Sequence, residues 1–154
     1  MANDPLWYDL RNLVYSKQFV YAENLLAANP CLFDQCDGMG ETVLHFLAIE
    51  NDIEGVEWLF ARGFSLNTKN RFGTPIVFDV ASGGHRDMLL WLFQHGADFS
   101  ILDSKQRDIL TYLRRSLIYL NKDQDEKHIL RVEEVTQFLL ENFPWLRNAG
   151  SADC

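Results

Sequence analysis

The sequence predicts an all-α solenoid, a stack of helix pairs joined by tight turns. The first observation is an internal repeat, in which residue types between Gly40 and Gly96 recur 33 residues apart. In addition, apolar residues inside each period recur at helical spacing, and glycines stand where the turns fall. Such a period is typical of stacked units that cannot bury their apolar faces alone, and it favours an extended binding surface over an enclosed catalytic pocket. The recurring pairs are Gly40 and Gly73, Ala48 and Ala81, Trp58 and Trp91, Leu59 and Leu92, Phe60 and Phe93, and Gly63 and Gly96.

The first unit is predicted to run turn, helix, turn, helix, loop. A turn cluster occupies residues 37–40, whose two glycines tolerate positive φ. Thr42 is placed to cap the helix that follows. The polar pair at 51–52 breaks that helix, and a second helix starts at Ile53. Gly63 stands where the C-terminus of the second helix favours a left-handed residue.

The second unit repeats this order. Gly73 opens it, and Pro75 suits the first turn of the inner helix. A second break is predicted at residues 83–85. The outer helix then follows over residues 88–93, with Gly96 beyond its end.

The flanks fit the same pattern less regularly. Residues 6–28 are predicted to form a helix pair split near 16–17 that acts as an N-terminal cap. The inner helix of the last unit begins at Ile109, overruns the repeat and ends at a polar break over 121–126. A final helix is expected at about 128–142. Terminal units of solenoids are commonly atypical in this way.

These assignments divide the chain into a single domain and a polar tail. Because both ends look capped, we expect the chain to be a complete small protein. The predicted segments are a single domain at 1–147, made of N-terminal cap helices at 1–36, repeats at 37–69 and 70–102 and a divergent terminal unit with an insertion at 103–147, and a polar tail at 148–154.

Two segments resemble the ankyrin signature G-x-T-P-L-H, at residues 40–45 (GETVLH) and 73–77 (GTPIV). Residues 83–85 (GGH) look like the turn between ankyrin helices, and residues 96–98 (GAD) match the family's G-A-D. The period also agrees with an ankyrin unit. The second unit departs from the signature at Phe78, which replaces the histidine. The resemblance implies a short ankyrin-type helical solenoid with divergent N- and C-terminal capping helix pairs.

Composition and charge limit the class of partner and the cellular compartment that we expect for this protein. The formal net charge is −8, from 14 basic and 22 acidic residues, which disfavours binding to nucleic acid or to anionic membranes. The N-terminus lacks a signal-peptide pattern, and no apolar run is long enough to span a membrane. Cys31, Cys36 and Cys154 are too few for a disulfide framework. We therefore expect a cytoplasmic protein that is monomeric in isolation.

Three groups of residues could carry chemistry, and each has a simpler interpretation. His45 occupies the signature histidine, which favours a turn-stabilising hydrogen bond to the backbone of the next loop over a general base. Cys31 and Cys36 lack the second pair of ligands that a structural zinc site needs. The loop after Asp123 has His128 where a calcium loop needs glycine. We therefore predict no enzymatic activity, no cofactor and no metal.

Aromatic residues divide into two groups. Trp58, Trp91, Phe60 and Phe93 recur with the outer helices, so they are predicted to lie in the core. Phe72 falls at a loop tip, where the ankyrin family varies its residues to choose partners. Its ring is either an anchor for a partner or a packing contact with the neighbouring loop.

Charge is uneven along the predicted loops. Acidic Asp34 and Asp37 stand in the first loop region, and basic residues stand in the next two loops. The resulting gradient could steer a partner of complementary charge, with ordinary solvated charge as the alternative. The residues predicted to bind a partner are Met39, Glu41, Lys69, Arg71, Phe72, Lys105, Arg107 and Arg114.

These observations predict a non-enzymatic module that binds one protein partner through its concave face and loop tips. A sharper version is a dedicated inhibitor, such as a bacterial immunity protein that neutralises a toxin. An effector that captures a host protein is the other version. A self-assembling structural protein is a rival, which exposed Trp or Phe on an outer helix would support. The alternative from a different functional class is that the protein is an enzyme.

Overall fold

The structure, a computed structural model, describes residues 5–146. Within these residues eight α-helices follow one another, with a short 3-10 helix at Pro30–Phe33 after the second. Over residues 5–146 no β-strand forms, and the prediction of an all-α fold is confirmed. The helices are α1 Pro5–Tyr15, α2 Phe19–Ala28, α3 Val43–Ile49, α4 Ile53–Ala61, α5 Ile76–Ser82, α6 Arg86–Gln94, α7 Ile109–Ile118 and α8 Glu126–Asn142.

The helices form four consecutive pairs. Within each pair the two helices contact each other, from α1 with α2 to α7 with α8. The odd-numbered helices also contact one another in sequence order, and we call α1, α3, α5 and α7 the inner row. The predicted N-terminal helix pair is confirmed, and its turn contains Lys17 with a φ of 63°.

The inner helices after α1 begin at three residues spaced by the repeat. The Thr42 hydroxyl accepts a hydrogen bond from the His45 N–H at 3.1 Å, as the sequence predicts for a cap. The Asp108 carboxylate does the same for the N–H of Thr111 at 2.8 Å. Pro75 takes the equivalent position but makes no side-chain cap. The expectation that Pro75 lies inside the first turn is therefore wrong by one position.

The core follows the apolar stripes that the repeat predicts. The inner row buries apolar side chains from each of its helices, and the second helices of the middle pairs bury Leu59 and Leu92 completely. At the N-terminal end, Trp7 is fully buried and its indole N–H donates to the carbonyl of Glu41 at 3.0 Å. Helix α1 thus covers the first repeat with both apolar contact and a hydrogen bond.

The last helix pair is longer than the others. Helix α7 has 10 residues against 7 in α3, and α8 has 17 against 9 in α4. Between α7 and α8, the Asp125 carboxylate accepts the Asn121 N–H at 2.8 Å and closes the turn. The predicted overrun and polar break are both present, and α8 begins at Glu126, two residues earlier than expected.

The aromatic residues of the outer helices are less buried than predicted. Trp91 is buried, but Trp58 and Phe60 are only half-buried. Phe93 is 38% exposed, so its assignment to the core is wrong. It lies at the edge of α6 and packs against the ring of Phe143, with 5.2 Å between ring centroids.

Candidate partner-binding surface

Three tight turns lead into α3, α5 and α7, and all three are built alike. We call residues 37–40, 70–73 and 103–106 the three hairpins. In each, the first side chain accepts two backbone N–H groups, two and four residues later, at 2.9 to 3.1 Å. An Asp or Asn side chain stabilises tight turns in this way. The first residues of the hairpins are Asp37, Asn70 and Asp103.

Sequence reasoning missed this set, although its signal was present. The three residues are spaced by the period of the repeat, but Asp and Asn differ and the last hairpin has no glycine. The structure shows that the third hairpin is as regular as the others.

Neighbouring hairpins are joined by hydrogen bonds. The backbone N–H of Arg71 donates to the carbonyl of Met39 at 2.9 Å. The Ser104 hydroxyl donates to the carbonyl of Phe72 at 2.8 Å. Glycine makes this approach possible, because a Cβ on Gly40 would lie 2.4 Å from the nitrogen of Arg71.

The third hairpin differs at the position that glycine occupies in the first two. Gln106 stands there with a φ of 60°. Within the described part of the chain, no fourth hairpin packs against it, so a side chain can be accommodated. The three hairpins, joined by the hydrogen bonds between neighbours, form a short edge that we call the hairpin edge.

The third residue of each hairpin forms its tip, and these three residues are Met39, Phe72 and Lys105. Met39 is 44% exposed and Phe72 is 54% exposed, and Lys105 is exposed at the third tip. The ring of Phe72 lies beneath the guanidinium of Arg71, 4.8 Å from its centroid. Packing against the neighbouring hairpin therefore does not bury this ring.

The basic side chains of the edge differ in whether they are already paired. Lys69, Arg71 and Lys105 are exposed, and none forms an ion pair with a carboxylate of residues 5–146. Arg107 instead pairs with Asp103 at 2.8 Å within its own hairpin. Three cations on or beside the hairpins thus have no carboxylate partner among the described residues, and the Arg71 guanidinium also donates to the carbonyl of Gly38 at 3.1 Å, while Arg107 is neutralised within its own hairpin. Arg114, the remaining predicted cation, is exposed on α7.

Glu41 does not lie on the exposed edge where the sequence placed it. The residue is only 7% exposed, and its backbone carbonyl accepts the indole N–H of Trp7 on helix α1. Burial raises the pKa of the Glu41 carboxyl, and the nearby His45 partly opposes this effect. The Asp37 carboxylate is also engaged within the fold, because it accepts two backbone N–H groups in the first hairpin. The acidic end of the predicted gradient is therefore weaker than the residue types indicate.

His45 links two repeats in a way the sequence did not predict. Its Nε2 lies 2.8 Å from Oδ2 of Asp79 on α5, so its partner is a side chain and not the backbone of the next loop. The ring is fully buried, and Nδ1 has no partner. A buried imidazole that substrate cannot reach suits a structural link better than a general base. His85 makes the backbone contact instead, with Nε2 3.0 Å from the carbonyl of Ile49.

Among the described residues, one group of side chains could hold a cation. Ligand atoms of Glu41, His45 and Asp79 lie within 4.8 Å of one another. The hydrogen bond between His45 and Asp79 accounts for the proximity of two members of this group. Cys31 and Cys36 are exposed free thiols, and burial, followed by Asp37 and Asp34, raises the pKa of Cys36. Cys154 lies outside the described residues. The absence of a metal stays a prediction.

Comparison with known families identifies the central part of this fold. Residues 44–93, from α3 to α6, match the family described as ankyrin repeats (many copies). No curated protein matches the chain. Within residues 5–146, no helix has the length and apolar character needed to cross a bilayer. Ankyrin repeats are generally protein–protein interaction modules and typically non-catalytic, and no enzyme family matches.

Proposed function

We propose that this ankyrin-repeat protein binds one protein partner through its hairpin edge, with Phe72 as the central anchor. The observation that carries the proposal is the exposed ring of Phe72 at the middle hairpin tip, beneath the guanidinium of Arg71, which forms no ion pair with a carboxylate of residues 5–146. Aromatic residues at the centre of an interface commonly contribute the most binding energy. Met39 and Lys105 extend the surface at the neighbouring tips.

The rigidity of the edge supports this role. Because hydrogen bonds join Arg71 to Met39 and Ser104 to Phe72, the tips do not have to be ordered when a partner binds. The free cations Lys69, Arg71 and Lys105 favour a partner that presents carboxylates. Arg114 belongs to the proposed surface as an outlying cation, and Glu41 is withdrawn from it because its side chain is buried.

Charge reversal tests the proposal once a partner has been captured from the cells of origin. Arg71→Glu and Lys105→Glu should slow association and reduce its dependence on salt, because charges at the rim act mainly on the on-rate. Phe72→Ala should raise the off-rate instead. Lys122→Glu, an exposed charge between α7 and α8, is the control. If all the edge variants bind like wild type, the partner uses the outer helices or the terminal insertion.

Dedicated inhibition is the more specific version of this function. The net charge of −8 favours long-range attraction of a partner that is basic overall, such as a toxin that acts on nucleic acid, as an immunity protein would do, while the cations of the hairpin edge would meet carboxylates within the contact itself. An effector that captures a host protein is the other version. Adding the purified chain to the captured partner separates the two, because an inhibitor abolishes the partner's activity at equal stoichiometry and its partner is encoded in the same organism.

Self-association is a second candidate, favoured by aromatic side chains exposed near the C-terminal end. Phe93 is exposed on α6, and Trp145 is 44% exposed beyond α8. We nevertheless expect a monomer. Sedimentation over a range of concentrations decides the point, since a dimer that Phe93→Ser dissociates would support self-association.

A further inference from the structure

Arg11 lies in a cage of aromatic rings between α1 and α3. Its guanidinium carbon is 5.1 Å from the ring centroids of Tyr8 and Phe46, and 5.7 Å from that of Trp7. The cage is itself fixed, because Trp7 is fully buried and donates its indole N–H to the carbonyl of Glu41. Trp7 also packs edge-to-face on Phe46 at 5.6 Å. The guanidinium is therefore held in place before any ligand binds.

Arg11 has no carboxylate partner. Three other arginines stack on aromatic rings. Arg62 on Trp58 and Arg107 on Tyr112 also form ion pairs, with Glu23 and Asp103 respectively, whereas Arg71 on Phe72 belongs to the hairpin edge and forms none. No Asp or Glu of residues 5–146 forms an ion pair with Arg11. The chain carries 22 acidic residues, yet none of those described pairs with Arg11. A carboxylate of another molecule can therefore take this position.

The hydrogen-bonding groups of Arg11 are only partly used. Its Nε and Nη2 both donate to the side-chain oxygen of Asn12, at 3.1 and 3.0 Å. A guanidinium has five N–H groups in a planar fork. The edge formed by Nη1 and Nη2 is thus left with donors suited to a planar, two-oxygen acceptor.

A pocket of about 270 Å³ opens beside this guanidinium. Its walls combine apolar surface with two charges of opposite sign. Glu50 is the acidic wall residue, and it forms no ion pair with Arg11. Arg11 and Glu50 together make the empty pocket neutral, so one carboxylate facing Arg11 brings a single negative charge, whereas a multiply charged anion such as phosphate brings more and is repelled more strongly by Glu50. The lining residues are Arg11, Asn12, Tyr15, Phe46, Leu47 and Glu50.

We propose that this pocket receives the carboxylate of a Glu or Asp side chain from the protein partner. The carboxylate forms two hydrogen bonds with the free edge of Arg11, and its aliphatic stem packs against Phe46 and Tyr15. This inference rests on the proposed function, since it assumes a protein partner along the inner row. It adds a site beside α1 to the hairpin edge, with a stated chemistry that the edge alone does not define.

Nuclear magnetic resonance titration with two small peptides tests the site directly. One probe is a blocked tripeptide with glutamate at its centre, and the other has glutamine there. The glutamate peptide should shift the Arg11 side-chain N–H and the Trp7 indole N–H, while the glutamine peptide should leave both unmoved. Equal shifts from the two peptides would overturn the proposal, as would a larger shift from inorganic phosphate than from the glutamate peptide.

The substitution Arg11→Lys tests whether binding needs the planar pair of guanidinium donors or only the positive charge. Lysine keeps the positive charge but cannot form the planar pair of hydrogen bonds, so binding of the glutamate peptide should weaken about 10-fold. Arg115→Lys on α7 is the control, because its side chain is exposed. Unchanged affinity in Arg11→Lys would remove Arg11 from the site. The peptide test needs no native partner, so its failure leaves the hairpin-edge proposal standing, and failure of the edge variants leaves the peptide result intact.

Discussion

The N–H of Arg71 donates a hydrogen bond to the carbonyl of Met39 at 2.9 Å, and so the first two hairpins are locked together. Gly40 stands directly at this contact with a φ of 77°. A Cβ there would lie 2.4 Å from the Arg71 nitrogen, closer than any unstrained contact. The conformation of one hairpin and its spacing from the next therefore depend on the same glycine.

Gly40→Ala should destabilise the protein more than Gly96→Ala. Both residues have positive φ, which costs a residue with a Cβ about 1–2 kcal/mol. At Gly96 a Cβ would meet no atom within 4 Å, so Gly96→Ala isolates the backbone cost. The Gly40 variant must also push Arg71 away and weaken the bond to Met39. Urea unfolding measures both losses, and equal losses would mean that the hairpins are not in close contact.

Leu92→Ala should lower the free energy of unfolding by about 2–5 kcal/mol, the usual cost of emptying a core leucine site. Leu92 is fully buried on α6, whereas Leu90 on the same helix is 38% exposed. Leu90→Ala is therefore the matched control and should cost less than about 1 kcal/mol. Chemical denaturation of the two variants provides the comparison. A Leu92 variant as stable as the Leu90 variant would contradict the burial of α6 in this register.

His45 and Asp79 should show energetic coupling in a double-mutant cycle. The imidazole and the carboxylate are 2.8 Å apart and connect α3 to α5. The variants His45→Gln, Asp79→Asn and their combination should give an interaction energy of about 0.5–3 kcal/mol. For comparison, His95→Gln with Asp79→Asn should be additive, because His95 stacks on Trp91 in the outer helix. Additivity in the first cycle would show that the link does not stabilise the stack.

Glu41→Gln should stabilise the protein at neutral pH. Burial raises the pKa of the Glu41 carboxyl above its ordinary value of 4.5, so folding favours its uncharged form. Such a group stabilises the fold fully below pH 4.5, and this contribution is lost as the pH rises through the pKa of the folded state. Glutamine is neutral at every pH, so the substitution removes the cost of burying the carboxylate.

The test of this prediction is a series of thermal melts across pH. The variant should melt at a higher temperature than wild type at pH 7, and the difference should shrink as the pH falls toward 4.5. Glu133→Gln, at an exposed position of α8, should show no such dependence on pH. A difference in melting temperature that stays constant with pH would contradict the effect of burial on Glu41.

The sequence by itself determined the helices, their order and the spacing of the repeat. Apolar periodicity, turn glycines and cap residues such as Thr42 act within a few neighbouring residues, so they can be interpreted without knowing the fold. The same local signals predicted the N-terminal pair and the break before α8. They also placed Phe72 at a loop tip, where the structure leaves it exposed.

The tertiary structure alone decided which polar residues of the loops and inner helices are available. Glu41 is a polar loop residue in the sequence, yet Trp7, 34 residues away, lies against its backbone as α1 covers the first repeat. The partner of His45 likewise comes from another helix, as does Phe46, the α3 ring of the cage around Arg11. Burial and charge pairing depend on which distant side chains meet, and a local pattern holds no information about those meetings.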